Sequence, residues 1–159
     1  MTRLALVPIA FSLAFGCADD DPAPSATVRM ATPESLTTDD DRLDDLTITV
    51  DYLDADGDLG GGAAEVHDCR NDKLVTILDI PAIAPDSVVD GDAGVRGSLD
   101  LHVNDVGATS SSVLPAACAE LGIDEMGATE AVFCVILVDA AGHAGPGDCT
   151  SPIAIETIE

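Results

Sequence analysis

The clearest alternation of apolar and polar side chains lies at residues 46–53. Leu46, Ile48, Val50 and Tyr52 fall on one face, and Thr47, Thr49 and Asp51 on the other. Alternation with a period of two predicts a half-buried strand. The same period returns at 96–103, where Leu99, Leu101 and Val103 point inward and Asp100 and His102 outward. Residues 131–138, AVFCVILV, are apolar throughout, which predicts a central strand covered on both faces. Further strands are expected at 27–30, 63–69, 74–80 and 150–158, with a short one at 87–89. Pro81 closes the 74–80 run. Residues 33–45 read as an acidic loop and 70–72 as a turn. Helical character is confined to 115–121, where Pro115 opens a turn or two and Gly122 stops them. About seven strands with short connections and one small helix predict an all-β fold, an antiparallel β-sandwich.

Composition narrows the core. After residue 16 the aromatic residues are Tyr52 and Phe133, and there is no tryptophan. Valine, isoleucine, leucine and alanine must therefore supply the interior. Surfaces that stack bases or sugars on aromatic rings are disfavoured. Residues 27–159 suffice for one domain.

The N-terminus reads as an export signal. Arg3 is followed by an apolar run from Leu4 to Phe15, broken only by Ser12 and shorter than a membrane span. Residues 1–16 form the leader. They end in Gly16-Cys17, which resembles the lipobox of bacterial lipoprotein precursors. The resemblance implies lipidation of Cys17, a membrane contact made through the lipid alone, and a place in the cell envelope. Ala18 after the cysteine favours the outer membrane over the inner. Phe15 and Ala14 depart from the usual residues of that motif. Residues 17–26, rich in Asp, Ala and Pro, read as the tether.

The charge is extreme. The chain has 30 acidic and 6 basic residues, a formal −24, and removing Arg3 with the leader leaves −25. Nucleic acid is excluded as a partner, because binding phosphates needs a basic surface. Acidity fits solubility, cation binding or a basic protein partner.

Five cysteines are present. With Cys17 lipidated, Cys69, Cys118, Cys134 and Cys149 remain, an even set that in an exported chain reads as two disulfides with three possible connectivities. A hairpin between 131–138 and 149–157 would set Cys134 opposite Cys149 and leave Cys69 for Cys118.

Two stretches resemble a known superfold. Residues 47–58, ending in DADGD, resemble the second strand and following loop of immunoglobulin-like, PKD-like and cadherin-like bacterial surface domains. Residues 135–143, VILVDAAGH, resemble the penultimate strand and turn, with His143 in place of the usual asparagine. The resemblance implies an immunoglobulin-like sandwich and no particular activity. The antibody-type disulfide between sheets is absent, since no cysteine lies on 46–53.

The candidate chemistry is the acidic loop at 54–62. Asp54, Asp56 and Asp58 place three carboxylates in five residues, a pattern suited to Ca²⁺, which takes six to eight oxygens. In an EF-hand count they hold positions 1, 3 and 5, and Glu65 falls at position 12. Position 6, however, is Leu59 rather than glycine, and strands rather than helices flank the loop. In a sandwich the 139–143 turn shares this end, so Asp139 is expected to join the three. The same residues also suit a solvated acidic turn. His67, Asp68 and Cys69 alternate faces, so His67 and Cys69 share one and Asp68 opposes them. No catalytic constellation is legible. A non-enzymatic binding or structural domain, possible partner to another protein, is the leading expectation, and a small exported enzyme or enzyme inhibitor with a loop-built site is the alternative.

Overall fold

The computed structural model describes residues 22–37, 44–71, 75–82, 94–106, 113–123 and 129–156. The expected leader, Cys17 and the strand expected at 87–89 lie outside them. The fold is an all-β sandwich. One layer is a three-stranded antiparallel sheet, β1 (Ser25–Thr32), β3 (Asp44–Asp54) and β6 (Val95–Val106), with β3 in the middle. The other has four strands in the order β5 (Val75–Asp79), β4 (Ala63–Asp68), β8 (Phe133–Val138), β9 (Asp148–Cys149), all antiparallel. A small third sheet at the border sets β10 (Ile153–Glu156) between β2 (Ser35–Thr37), which it meets in parallel, and β7 (Glu130–Ala131). A five-residue helix, α1 (Ala116–Glu120), lies between β6 and β7 in sequence.

The alternation read from sequence sets the core. Leu46, Ile48, Val50 and Tyr52 are buried from β3, with Leu101 and Val103 from β6. Ala64 and Val66 from β4 and Phe133, Val135 and Leu137 from β8 meet them in the same cluster. The polar face of β3 is laddered to its neighbours. Thr49 donates to Asp100 at 2.7 Å, Thr47 meets His102 Nδ1 at 3.0 Å, and Arg29 of β1 pairs with Asp51 at 2.6 Å.

Several boundaries differ from expectation. The tether was expected to reach residue 26, but β1 begins at Ser25, and Pro24 is already buried. Residues 33–45, expected as loop throughout, contain β2. Its Leu36 is buried and supplies part of the core that the missing aromatics leave unfilled. The run 131–138 is divided at Val132: Ala131 pairs with Ile153 in the border sheet, whereas 133–138 stay in the main sheet. Of the strand expected at 150–158, Ile153–Glu156 forms β10 in the border sheet, and β9 pairs with β8 just before it. A chain crossing from one sheet to another must break its ladder, which an unbroken apolar run does not advertise.

A second, smaller cluster sits on the outer face of the four-stranded sheet. Cys69, Cys118, Val132 and Cys134 are buried there, with Leu114, Leu121, Ile123 and Cys149 packed around them. It covers Cys134 on the outer face of β8, so at that point the strand is buried on both sides, as its composition predicts. Both expected disulfides are present, Cys69–Cys118 and Cys134–Cys149, and Cys134 and Cys149 are register partners of β8 and β9.

Candidate metal centre

The alternation of β3 does not stop at Tyr52. One more inward step reaches Asp54, which closes the strand and has no exposed surface. A carboxylate thus occupies the next place in a series of core positions. Its Oδ2 accepts the Leu59 backbone N–H at 2.8 Å. Its Oδ1 is buried without a hydrogen-bond partner.

The loop folds back over this group. Asp56 Oδ1 accepts the Asp58 N–H at 3.4 Å, and Asp58 Oδ1 is a second buried, unpartnered oxygen. One carboxylate oxygen from each of Asp54, Asp56 and Asp58 lies within 4.8 Å of the others. Leu59 is fully buried and pins the loop into the core. The residue that breaks the EF-hand count is therefore the loop's anchor. Gly61 N–H donates to Ile80 and Ile80 N–H to Gly62, which backs the loop with the end of β5.

Two glycines permit the close approach. A Cβ on Gly62 would lie 2.1 Å from the Val138 carbonyl oxygen, so only glycine lets the loop touch the end of β8. Gly94, at φ +86°, would place a Cβ 2.3 Å from the Ala55 Cα. Asp139 is brought to this end, as the sandwich order requires. The Ala140 N–H donates to the Asp58 carbonyl at 3.2 Å. Its own side chain, however, holds the 139–143 turn: Oδ1 accepts the His143 N–H at 2.8 Å, and Oδ2 lies 3.1 Å from His143 Nδ1. Asp139 therefore adds negative charge beside Asp58 rather than a free oxygen. Glu65 lies on the other face of β4, with Oε2 3.4 Å from His67 Nε2.

The crowding alters the acidities. Asp54 is raised above the ordinary carboxyl range, chiefly by burial; the Leu59 N–H opposes this, and proton sharing with Asp56 adds to it. Asp56 loses solvent too, but hydrogen bonds from Asp54, Asp58 and the loop backbone outweigh that loss and lower it. Asp58 is pushed up to about 6 by loss of solvent first, then by proton sharing with Asp56 and by the charges of Asp56, Asp139 and Asp54. An acid that titrates higher when folded gives stability that is present below its unfolded value and is lost as pH rises through its folded one. In EDTA, the melting temperature is therefore expected to rise as pH falls from 7 to 5, and saturating Ca²⁺ is expected to flatten that rise. Melting curves across pH, with and without the ion, check it.

No family model, curated protein or solved structure matches the chain.

The other sequence candidates are dispersed. His67, His102 and His143 lie on separate elements, and the groups of three potential metal ligands among the described residues contain no histidine. Cys69 is held in a disulfide, which removes it as a nucleophile beside His67. One polar site escaped the sequence reading. Asp68 ends the inward series Ala64, Val66, Asp68 on β4 and is buried. Arg70, also buried, reaches it with Nε at 2.9 Å and Nη2 at 2.6 Å, and the guanidinium lies 5.6 Å from the Phe133 ring centroid. The signal was available: an acid on the core side of a strand, two residues before an arginine. The fold thus buries Asp54 at the end of β3 and Asp68 at the end of β4, as well as Asp139 just after β8. Asp68 has an arginine against it. Asp54 accepts the Leu59 N–H on one oxygen and leaves the second without a partner.

Proposed function

We propose that the chain is a lipid-anchored, non-enzymatic domain of the cell envelope whose acidic loop holds a Ca²⁺ ion. The observation that carries the cation is Asp54, fully buried with one carboxylate oxygen unpartnered, beside an equally unpartnered oxygen of Asp58. A buried charge lacking a partner is costly, and elsewhere in this fold Asp68 has Arg70. A divalent ion would give Asp54, Asp56 and Asp58 a counter-charge. Oxygen donors alone favour a hard cation, and a loop of three close carboxylates suits the flexible coordination of Ca²⁺ better than the strict octahedron of Mg²⁺. The anchor rests on the lipobox-like Gly16-Cys17 and the acidic tether after it.

The bound ion would staple the β3–β4 loop to the core at the end where the 139–143 turn also packs, and its role is structural support of a binding or spacing domain. Thermal unfolding tests this. At 100 times its dissociation constant, Ca²⁺ is expected to add about 2.7 kcal/mol, with a smaller gain from equal Mg²⁺ and none in an Asp54→Asn variant. No upward shift at millimolar Ca²⁺ would remove the cation from the proposal.

A further inference from the structure

The smaller cluster holds two disulfides in contact. Cys69 Sγ lies 3.4 Å from Cys134 Sγ, although each is bonded elsewhere, and the sulfurs of Cys69, Cys118 and Cys134 all lie within 4.8 Å of one another. The register explains the contact. Cys134 is opposite His67, and the Cys69 N–H bonds the Val132 carbonyl, so Cys69 and Cys134 are diagonal neighbours on one face of the β4–β8 pair. Access is uneven. Cys69 is 1 % exposed and Cys118 and Cys134 are fully buried, whereas Cys149 on β9 is only partly covered.

We propose that this cluster is a thiol–disulfide exchange site, entered at Cys149 by a dithiol and resolved as a Cys69–Cys134 bond. The incoming thiolate attacks Cys149 Sγ, forming a mixed disulfide and expelling Cys134 as a thiolate. Cys134 Sγ then attacks Cys69 Sγ beside it, forming Cys69–Cys134 and expelling Cys118, which takes a proton from solvent. The second thiol of the reagent displaces Cys149 from the mixed disulfide, leaving the reagent oxidised and Cys149 as a thiol. Two electrons pass from the dithiol to the protein, whose two disulfides become one disulfide and two thiols. The product keeps β4 and β8 crosslinked and releases two tethers together: Cys118, which ties down α1, and Cys149, which ties down β9. The partner chemistry is that of a reduced protein dithiol such as an exported oxidoreductase carries; a small dithiol is the probe.

The oxidised protein is treated with limiting dithiothreitol at pH 8, quenched in acid, alkylated and peptide-mapped. The expected one-disulfide species carries Cys69–Cys134, with Cys118 and Cys149 alkylated. One-disulfide species with only the original pairings, or passage straight to four thiols without that linkage, would overturn the proposal. Glutathione, which cannot resolve its own adduct, is expected to be found on Cys149; an adduct on Cys69 or Cys118 contradicts the entry point. Cys149→Ser gives an independent test. When folded, it is expected to contain at least threefold more Cys69–Cys134 than Cys118–Cys134. In urea the ratio should reverse, because Cys118 is much nearer to Cys134 in sequence and shorter loops close more readily. A ratio unchanged by urea would mean that the folded geometry does not direct the exchange.

Discussion

Replacing Asp68 with alanine is expected to destabilise the domain by about 3–5 kcal/mol, because it leaves the Arg70 guanidinium buried without its counter-charge. Asp68 accepts the Arg70 backbone N–H at 3.0 Å as well as two side-chain nitrogens, so it also shapes the turn that leaves β4. A loss of that size is a large part of the 5–15 kcal/mol typical of a whole domain. The double change Asp68→Leu with Arg70→Met should recover most of it, since two apolar side chains can fill the space without a charge to neutralise. Urea midpoints of the two variants at pH 7 check this. A single substitution that costs under about 1 kcal/mol would mean that solvent reaches the pair.

Removing Cys69–Cys118 is the second large effect. The bond closes a 49-residue separation, for which the chain-entropy relation gives about 4 kcal/mol, against about 3 kcal/mol for the 15-residue separation of Cys134–Cys149. The paired alanine variants Cys69→Ala/Cys118→Ala and Cys134→Ala/Cys149→Ala should therefore rank in that order in chemical denaturation. The first also deprives α1 of its covalent tie to the sheet. Its five residues make too short a helix to persist alone, so protection of the 113–123 amides against hydrogen exchange should fall much further in that variant than in the other. Equal costs would place the stabilisation in local packing rather than in the unfolded chain.

Much of the sandwich was legible because its strands are half-buried. Leu46, Ile48, Val50 and Tyr52 announce their face, and Leu99, Leu101 and Val103 theirs. Cys134–Cys149 was legible for the same reason, because the hairpin register that buries Val135 and Leu137 also aligns those two cysteines, and Cys69–Cys118 followed from it only as the remaining pair. The small border sheet was not. β2 and β7 are three and two residues long, too short for a period to register, and β10 meets β2 in parallel across a wide gap in sequence. The three aspartates were legible as a cluster, and what they do to one another was not. Period-two alternation carries Asp54 and Asp68 into the interior as it carries their apolar predecessors, but an aspartate after a strand reads by composition as the start of a loop. Asp139 was placed at the correct end by topology. Its engagement with residue 143 needed three-dimensional geometry, because one oxygen takes the backbone N–H of the turn and the other meets the His143 ring.

The contrast between buried Asp54 and buried Asp68 is the centre of the proposal: Arg70 neutralises Asp68, and a cation from outside would do the same for Asp54. Isothermal titration of Ca²⁺ into EDTA-stripped, re-dialysed protein measures it directly. One ion per chain is predicted, with binding lost in Asp54→Asn and retained in Asp139→Asn, whose oxygens already serve His143. No saturable heat in the unsubstituted protein, or the same binding after Asp54 is replaced, would contradict it.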